Sequence, residues 1–419
     1  MATEPARAIA PWIGTDTVAD DTKPHGPSIA WRRVFRYLAL CALLLYGSAW
    51  AVRLRARNYY LFAAAYITWA LTPPAVAAAQ PTHLFFLFVD HFEPAQDAAA
   101  VRRWLSRYAS LAARHRDSDG RVPRHTWFYP GEQANVDILE ALRATTAAGL
   151  GEVEMHFHHD HATAYSFRRA MEQAMARFQE YGFLKTIDGT TAFSFVHGNS
   201  GLDNSDGPQN CGVDTELRVL RELGCFADFT FPSVYEVAQP PSVNTIYAAA
   251  EDGRAKSYAR MLPLSALRDR SADLMIFEGP LIFAPTLSPR RLFFELDDGN
   301  IHESVPASPA RVARWVRANV HVSGRPDWVF VKVFAHGIST AGDVEASLGP
   351  GFEAALRELE TRYNDGTTYR LHYVTAREAY NLALAANDGV RGEPSRYFDY
   401  RIGRYVSSDM ADTAAPASR

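Results

Sequence analysis

The stretch "HLFFLFVDHFEP", His83 to Pro94, decides the fold. Leu84 to Val89 are apolar without interruption, a run of strand length closed at once by Asp90 and His91. Such a run describes a strand buried on both faces, which is the habit of parallel sheets covered by helices. Working outward, "VRRWLSRYASLAARHR" (101–116) has helical periodicity, with Val101, Leu105, Tyr108 and Leu111 on one side. Further strands are expected at "HTWFYP" (125–130), "EVEMHFH" (152–158), "TAFSFVHG" (191–198), "ADFTFPS" (227–233), "LMIFEGP" (274–280), "WVFVKVFAHG" (328–337) and "YRLHYVT" (369–375). Helices are expected at "NVDILEALRATTAAG" (135–149), "SFRRAMEQAMARFQEYG" (166–182), "SPARVARWVRANV" (308–320) and "FEAALRELETRYND" (352–365). This alternation argues for an α/β protein with a parallel sheet, and the number of units suits a distorted (β/α) barrel.

The chain is long enough, at 419 residues, to bury a substantial core, and its net charge of −4 with 21% charged residues is that of an ordinary globular protein. Its arginines are interspersed with acids and form no basic stripe, which sets nucleic acid aside as a partner. Residues 1–30 are polar and read as disordered. Residues 31–80 hold two apolar runs, "LALCALLLYGSAWAV" and "YYLFAAAYITWAL", separated by "RLRARN". They read either as a membrane anchor or as an internal export signal from Arg53 to Ala79. The expectation is an exported protein, anchored to the cell membrane or released outside, with Arg53, Arg55 and Arg57 cytoplasmic and everything after residue 80 beyond the membrane. The barrel then covers 81–385, and 386–419 forms a C-terminal extension and tail. Cys211 and Cys225 could pair as one disulfide after export, although two leftover thiols are more often unpaired.

In (β/α) barrels the chemistry sits where strands end at the C-terminal face. Here Asp90 and His91 close one strand, the run "EMHFHHDHAT" (154–163) closes a second, His197 a third and His336 a fourth. The histidine run holds four of the chain's fourteen histidines. Strand alternation puts His156 and His158 on one face, while His159, Asp160 and His161 continue into a loop. Imidazole is the commonest metal ligand and a carboxylate completes the usual zinc donor set, so a metal site is expected there. Asp90, at the end of a buried strand, is costly unless paired or metal-bound and reads as a functional carboxylate; Glu93 lies in the same segment. "FVHGNSGLDNSDG" (195–207) crowds His197, Asn199, Asp203 and Asn204 into a glycine-punctuated loop, suited to turn chemistry or to sugar recognition.

The order of these motifs resembles that of the polysaccharide deacetylases, the NodB-homology or carbohydrate-esterase type, whose fold is a distorted (β/α) barrel. "LFVDHFEP" stands where that family has T-F-D-D, so the resemblance makes Asp90 the general base and puts His91 in the place of the metal-binding aspartate. "HTWFYP" is similar to the strand that follows. "GEVEMHFHHD" agrees with E-[IV]-x-x-H at Glu152, Val153 and His156 and then departs, because Asp160 stands where a second histidine ligand would be. "TAFSFVHGNSG" occupies the place of an arginine-proline motif without the arginine. "VFVKVFAHG" resembles the late strand whose histidine is the general acid, here His336. The likeness spans residues 82–380.

That resemblance implies a metal-dependent hydrolase removing acyl groups, acetyl above all, from an envelope or extracellular glycan. A divalent metal, most simply Zn²⁺, would be held by His156 with one or two of His91, His158 and Asp160, with Asp90 and His336 as base and acid. His197, Asn199 and Asp203 would line the sugar groove, with Trp127 and Tyr129 available to stack on a ring. Two other functions fit the same sequence: another carbohydrate-active hydrolase on the barrel, such as a glycosidase using Asp90 and a second carboxylate, and a membrane-tethered glycan-binding or assembly protein without catalysis. "FELDDGN" (294–300) looks like the family's aspartate string but follows the histidine run, and Asp297 and Asp298 are expected in a hairpin turn.

Overall fold

The computed structural model describes residues 29–72 and 81–411; the expected disordered N-terminus, the small-residue site before Ala79 and the last residues of the tail lie outside them. The chain divides at Ala51 and Val52 into two compact units. Helix α1 (Ile29–Ala56) provides the described part of the first. Its segment Trp31–Ala56 is 26 residues long and, among the described residues, is the one helix long and apolar enough to cross a membrane. That length corresponds to about 39 Å, against a hydrocarbon core of roughly 30 Å. Leu38, Leu43, Leu44 and Leu45 are exposed on it. One such helix near the N-terminus is consistent with a signal sequence or a single anchor.

The second apolar run is not a second span. It folds as a short turn of 3₁₀ helix and α2 (Ala63–Leu71), with Tyr59 and Phe62 buried beside Val234, Val243 and Leu281. Phe283 N–H donates to the Tyr66 hydroxyl at 2.9 Å, and the Arg57 guanidinium lies 5.2 Å from the centre of the Tyr235 ring. Nine helical residues are too few to span a bilayer, and their aromatic side chains have an apolar surface to cover. Residues 59–66 therefore pack with the later chain, and where two apolar runs were expected at the membrane the described residues hold one helix suited to it.

The second unit is built on strands β1 (Thr82–His91), β2 (His125–Pro130), β3 (Gly151–Phe157), β4 (Phe193–His197), β5 (Cys225–Asp228), β6 (Ile246–Ala249), β7 (Met261–Leu262), β8 (Leu274–Phe277), β9 (Ile282–Pro285), β10 (Phe294–Asp297), β11 (Asn300–Ile301), β12 (Trp328–Ala335) and β13 (Tyr369–Tyr373). Among the described residues they form an eleven-stranded sheet in the order β11-β12-β1-β2-β3-β4-β5-β8-β6-β7, with β13 on β1 and a separate β9–β10 pair. Every ladder of the large sheet is parallel except the two made by β6. Helices alternate with the strands: α3 (Ala98–Ala112), α4 (Val136–Ala147), α5 (Ala164–Glu180), α6 (Glu216–Glu222), α7 (Ser265–Arg268), α8 (Pro309–Ala318), α9 (Ala341–Leu348), α10 (Pro350–Arg362) and α11 (Ala376–Asn387). Side-chain caps from Asp97, Asn135, Thr163, Ser308 and Thr375 start α3, α4, α5, α8 and α11, satisfying N–H groups that each first turn leaves free. The Asp-Gly hairpin does not form. β10 pairs with β9 and β11 with β12, so Asp298 and Gly299 hand the chain from one sheet to the other. Asp297 is buried, accepting from Arg311 at 2.7 and 3.1 Å and from Trp315 at 2.9 Å, because a charged partner outbids a solvent-facing turn.

Alternation along β1 divides the core in two. Leu84, Phe86 and Phe88 pack with Trp104, Leu105 and Trp127, whereas Phe85, Leu87 and Val89 pack with Phe128, Val196, Phe277 and Phe330. The second cluster gathers strands that are far apart in the ladder. Lys332 on β12, itself buried, donates to the carbonyls of Phe229 at 2.6 Å, Phe277 at 3.1 Å and Phe231, so the sheet curls until β12 reaches β8, six pairings away along the strand order. One end of this interior is closed by α11 and the chain beyond it: Arg377 donates to Glu152 on β3 at 2.8 and 3.0 Å and to Asp399 at 2.8 Å, and the buried Tyr405 donates to Glu154 at 2.9 Å. Removing one partner of a buried pair leaves the other charge uncompensated. Arg377→Met is therefore expected to cost about 3–5 kcal/mol in urea unfolding, with Arg377→Met/Glu152→Gln recovering part of the loss; an unchanged midpoint in the single variant would contradict the role of the pair.

Candidate metal centre

The registers bring the polar strand ends to one level. Asp90 stands opposite Ala335 and Trp127, His156 opposite Pro130 and Val196, and His197 opposite Phe157. The side chains that follow share a rim around a cavity of about 470 Å³, whose wall includes His91, Glu93, His156, His158, His197 and His336.

Within it, His156 Nδ1 donates to the Val196 carbonyl at 2.8 Å, so in the neutral ring Nε2 carries a lone pair; that nitrogen faces Glu93 Oε1 at 2.8 Å. His158 Nδ1 donates to Glu132 at 2.7 Å, and its Nε2 lies 3.3 Å from the same Glu93 oxygen. The donor atoms of Glu93, His156 and His158 all fall within 4.8 Å of one another. Two ring nitrogens whose other nitrogen is tied to an oxygen acceptor, converging on one carboxylate oxygen, are arranged as metal-binding histidines usually are. Burial raises the Glu93 carboxyl, but the facing Nε2 positions of His156 and His158, which donate to it when the rings are protonated, outweigh burial and hold the group well below its usual range. Burial lowers His158, yet Glu132 and Glu93 carry it up to about 9. His91 stands beside this group, 5.3 Å from His156 and 4.7 Å from His336 between ring centres, and burial with its two histidine neighbours pushes it well below the ordinary imidazole value.

A second group, His159, His197, Cys211 and Glu216, has its donor atoms equally close together and could hold a metal ion. Cys211 and Cys225 are both buried and unpaired, so no disulfide joins them.

The remaining expected site residues divide by phase. Asn199 lines the cavity with a φ of +54°. Asp90 does not line it: alternation turns its carboxylate to the outer face of β1, where it accepts from His125 Nε2 at 3.1 Å and from Gly337 N–H at 2.7 Å. Trp127 and Tyr129 point the same way into the outer core and are fully buried, so neither can stack on a ligand. Asp203 is buried under the loop, accepting from Ser257 N–H at 2.6 Å, with burial and Glu251 raising its carboxyl. Asp160 is 76% exposed beside His161 at 3.5 Å, because the chain leaves the strand at His158 and turns outward; it is not brought to the other metal candidates. Glu93 takes the carboxylate place instead. It shares the phase of His91, two residues earlier, and that spacing was the available signal. Glu216 and Tyr235 are ligand-group and cavity residues with no motif around them, Glu132 acts only through His158, and Asp298, expected in a turn, lines the cavity.

The chain matches no protein-family model, and no curated protein is significantly similar to it.

Gly198 lies against His158: a Cβ there would meet the imidazole ring and come within 2.8 Å of the His158 Cα. Gly198→Ala is thus expected to displace His158 and weaken divalent-metal binding at the cavity by roughly 10–100-fold, the range for lost ligand support, with the circular dichroism spectrum preserved. Competitive zinc titration checks this, and unaltered affinity would contradict the placement of His158.

Proposed function

We propose that the chain is a metal-dependent hydrolase of the polysaccharide deacetylase type, acting on an acylated glycan of the cell envelope or outside the cell. The observation that carries this reading is the convergence of Glu93, His156 and His158 on the floor of an open, polar cavity with His91 and His336 beside them. The curled, mostly parallel sheet supports a distorted (β/α) barrel, since Lys332 spans strands that only a strongly curved sheet brings together. The apolar helix α1 supports membrane targeting, by cleavage or as a single anchor.

His156 and His158 through Nε2 and Glu93 through Oε1 would hold the cation, most simply Zn²⁺, for which imidazole and carboxylate are ordinary ligands. When bound, such an ion supplies Lewis acidity and lowers the pKa of a water molecule. His91 and His336 are the adjacent proton carriers: His91 accepts, and the half-buried His336 donates to the leaving amine or alcohol. Asp90 acts as a positioning residue, since its bond to Gly337 N–H fixes the turn that carries His336. Asn199, Asn210, Asp298 and Asn300 offer hydrogen bonds to sugar hydroxyls, and the half-exposed Tyr235 offers a ring face at the rim.

A glycosidase is the second reading, and one observation favours it: Asp298 joins Glu93 on the cavity wall, with burial pushing its carboxyl up to about 6. Two carboxyls on one cavity wall, one raised above its ordinary range and the other held below it, match the division of labour glycosidases use.

Purified, zinc-loaded protein is expected to release acetate from N- or O-acetylated oligosaccharides. His336→Ala should slow turnover by roughly 10²–10⁴-fold with metal content intact, whereas Glu93→Gln loses metal and activity together. New reducing ends without acetate would transfer the assignment to the glycosidase, and glycan binding with no bond cleavage would sink both.

A further inference from the structure

The histidine run feeds two places, and only one of them is the cavity floor. His156 and His158 project together, while His159 leaves on the side of Phe157 and stacks on Phe167 of α5, with ring centres 4.4 Å apart. There it meets His197 from the end of β4, Cys211 from the following loop and Glu216, the first residue of α6. The two Nε2 atoms are 3.0 Å apart, and Glu216 Oε1 lies 3.0 Å from that of His159 and 3.4 Å from that of His197. Cys211 Sγ is 3.4 Å from the other Glu216 oxygen.

Proton accounting shows what this centre lacks. His197 Nδ1 donates to the Gly198 carbonyl, so its Nε2 is an acceptor in the neutral ring. Glu216 Oε2 already accepts from Asp203 N–H at 2.6 Å and from the Cys211 thiol at 3.4 Å, which leaves Oε1 to the two histidines. Cys211 Sγ receives the N–H groups of Asn204 at 3.3 Å and Val213 at 3.4 Å, two donors that a metal-bound thiolate would keep. The Nε2 of His197 and Oε1 of Glu216 therefore look inward with a single imidazole hydrogen, that of His159, to share between them, while the Cys211 thiol donates its own to the other Glu216 oxygen. A cation satisfies all of them at once.

We propose that His159, His197, Cys211 and Glu216 form a closed, structural site for a divalent cation of the zinc class, separate from the cavity group, which clamps the 198–216 segment against the sheet. Two nitrogens, one sulfur and one oxygen suit Zn²⁺ in ligand type and number, and the harder cations Mg²⁺ and Ca²⁺ avoid sulfur. The chain supplies four donors, three of them on buried residues, so no position is left for water or substrate. That is the mark of a structural site. Binding expels the Cys211 thiol proton to solvent and leaves a sulfur–metal bond. The clamped segment carries Asn199, Ser200, Asp206 and Asn210 of the cavity wall, and it holds four non-glycine residues at positive φ, Asn199, Ser200, Asp203 and Asn204, a backbone that needs its surroundings to impose it.

The inference stands apart from the hydrolase reading, and cobalt separates the two. The full-length chain in detergent is stripped of metal and reloaded with Co²⁺. Wild type is expected to bind two equivalents and to show the near-ultraviolet thiolate-to-cobalt charge-transfer band with intense tetrahedral visible bands. Glu93→Gln/His158→Ala keeps that band and loses one equivalent; Cys211→Ser loses the band. Cobalt bound by wild type without a thiolate band, or a band that survives Cys211→Ser, would overturn the proposal, as would its disappearance from the Glu93→Gln/His158→Ala variant, which would mean a single shared site. Should Cys211→Ser not fold, wild type and the cavity variant decide the matter between them. Absence of acetate release with the band present would count against the hydrolase alone.

Discussion

Side-chain alternation at the end of β3 is the constraint from which the rest of the site follows. β3 is paired on both edges, to β2 and to β4, so its register has no freedom to slip, and a slip by one residue would exchange its two faces. On the inner face it presents Glu152, Glu154, His156 and then His158; on the outer face come Val153, Met155, Phe157 and then His159. The outer residues are apolar until the strand ends, as packing against α4 and α5 demands. The inner residues are polar along the whole strand. Glu152 and Glu154 are answered from the closed end by Arg377 and Tyr405, and His156 and His158 from the open end by Glu93 and Glu132.

A polar interior of this kind is expensive, and each member persists because a partner meets it. Burial pushes Lys332 down and Asp228 and Glu278 up, toward their neutral forms, and the lysine is further tied to three backbone carbonyls. Unpaired, any one of these groups would cost more than an ordinary surface change. Rigid inner walls result, and the cavity side chains grow from them. His336 stands four residues beyond Lys332 on the same phase of β12, and Thr230, on the cavity wall, binds the Asp228 carboxylate at 2.8 Å. The foundations of the site are buried polar groups with few alternative partners.

Much of this was legible in the sequence. Uninterrupted apolar runs named the strands, helical periodicity named the crossovers, and polar residues at strand ends named His91, His156, His158, His197 and His336, which the fold brings to one cavity. What a single chain does not carry is the phase of one strand relative to the next. Asp90 and His91 are adjacent, so they must face opposite ways, and only the fold says which faces the cavity; the motif pointed to Asp90, whereas the geometry puts His91 and Glu93 there. Trp127 and Tyr129 share the fate of Asp90 for the same reason. The Asp-Gly hairpin went unrealised because Arg311, distant in local context, binds Asp297 from α8. Cys211 and Glu216 were out of reach for a further reason: they join the group through a long irregular loop, where no periodicity relates spacing to position.

The two ligand groups are mechanically joined even though alternation separates them. His197 belongs to the buried one, and the next residue, Gly198, packs directly on the ring of His158 in the open one. Fixing His197 therefore fixes the backbone that holds His158, and the absence of a Cβ at 198 lets the two come this close. Asn199 follows immediately, at positive φ, and turns the chain into the cavity wall. On the proposed assignments, the closed group below the loop would hold the chain and the open group beside the cavity would carry the chemistry. The dense histidine run is what such a division needs at the end of a strand: two residues on one face for the open centre, and one on the other face for the closed.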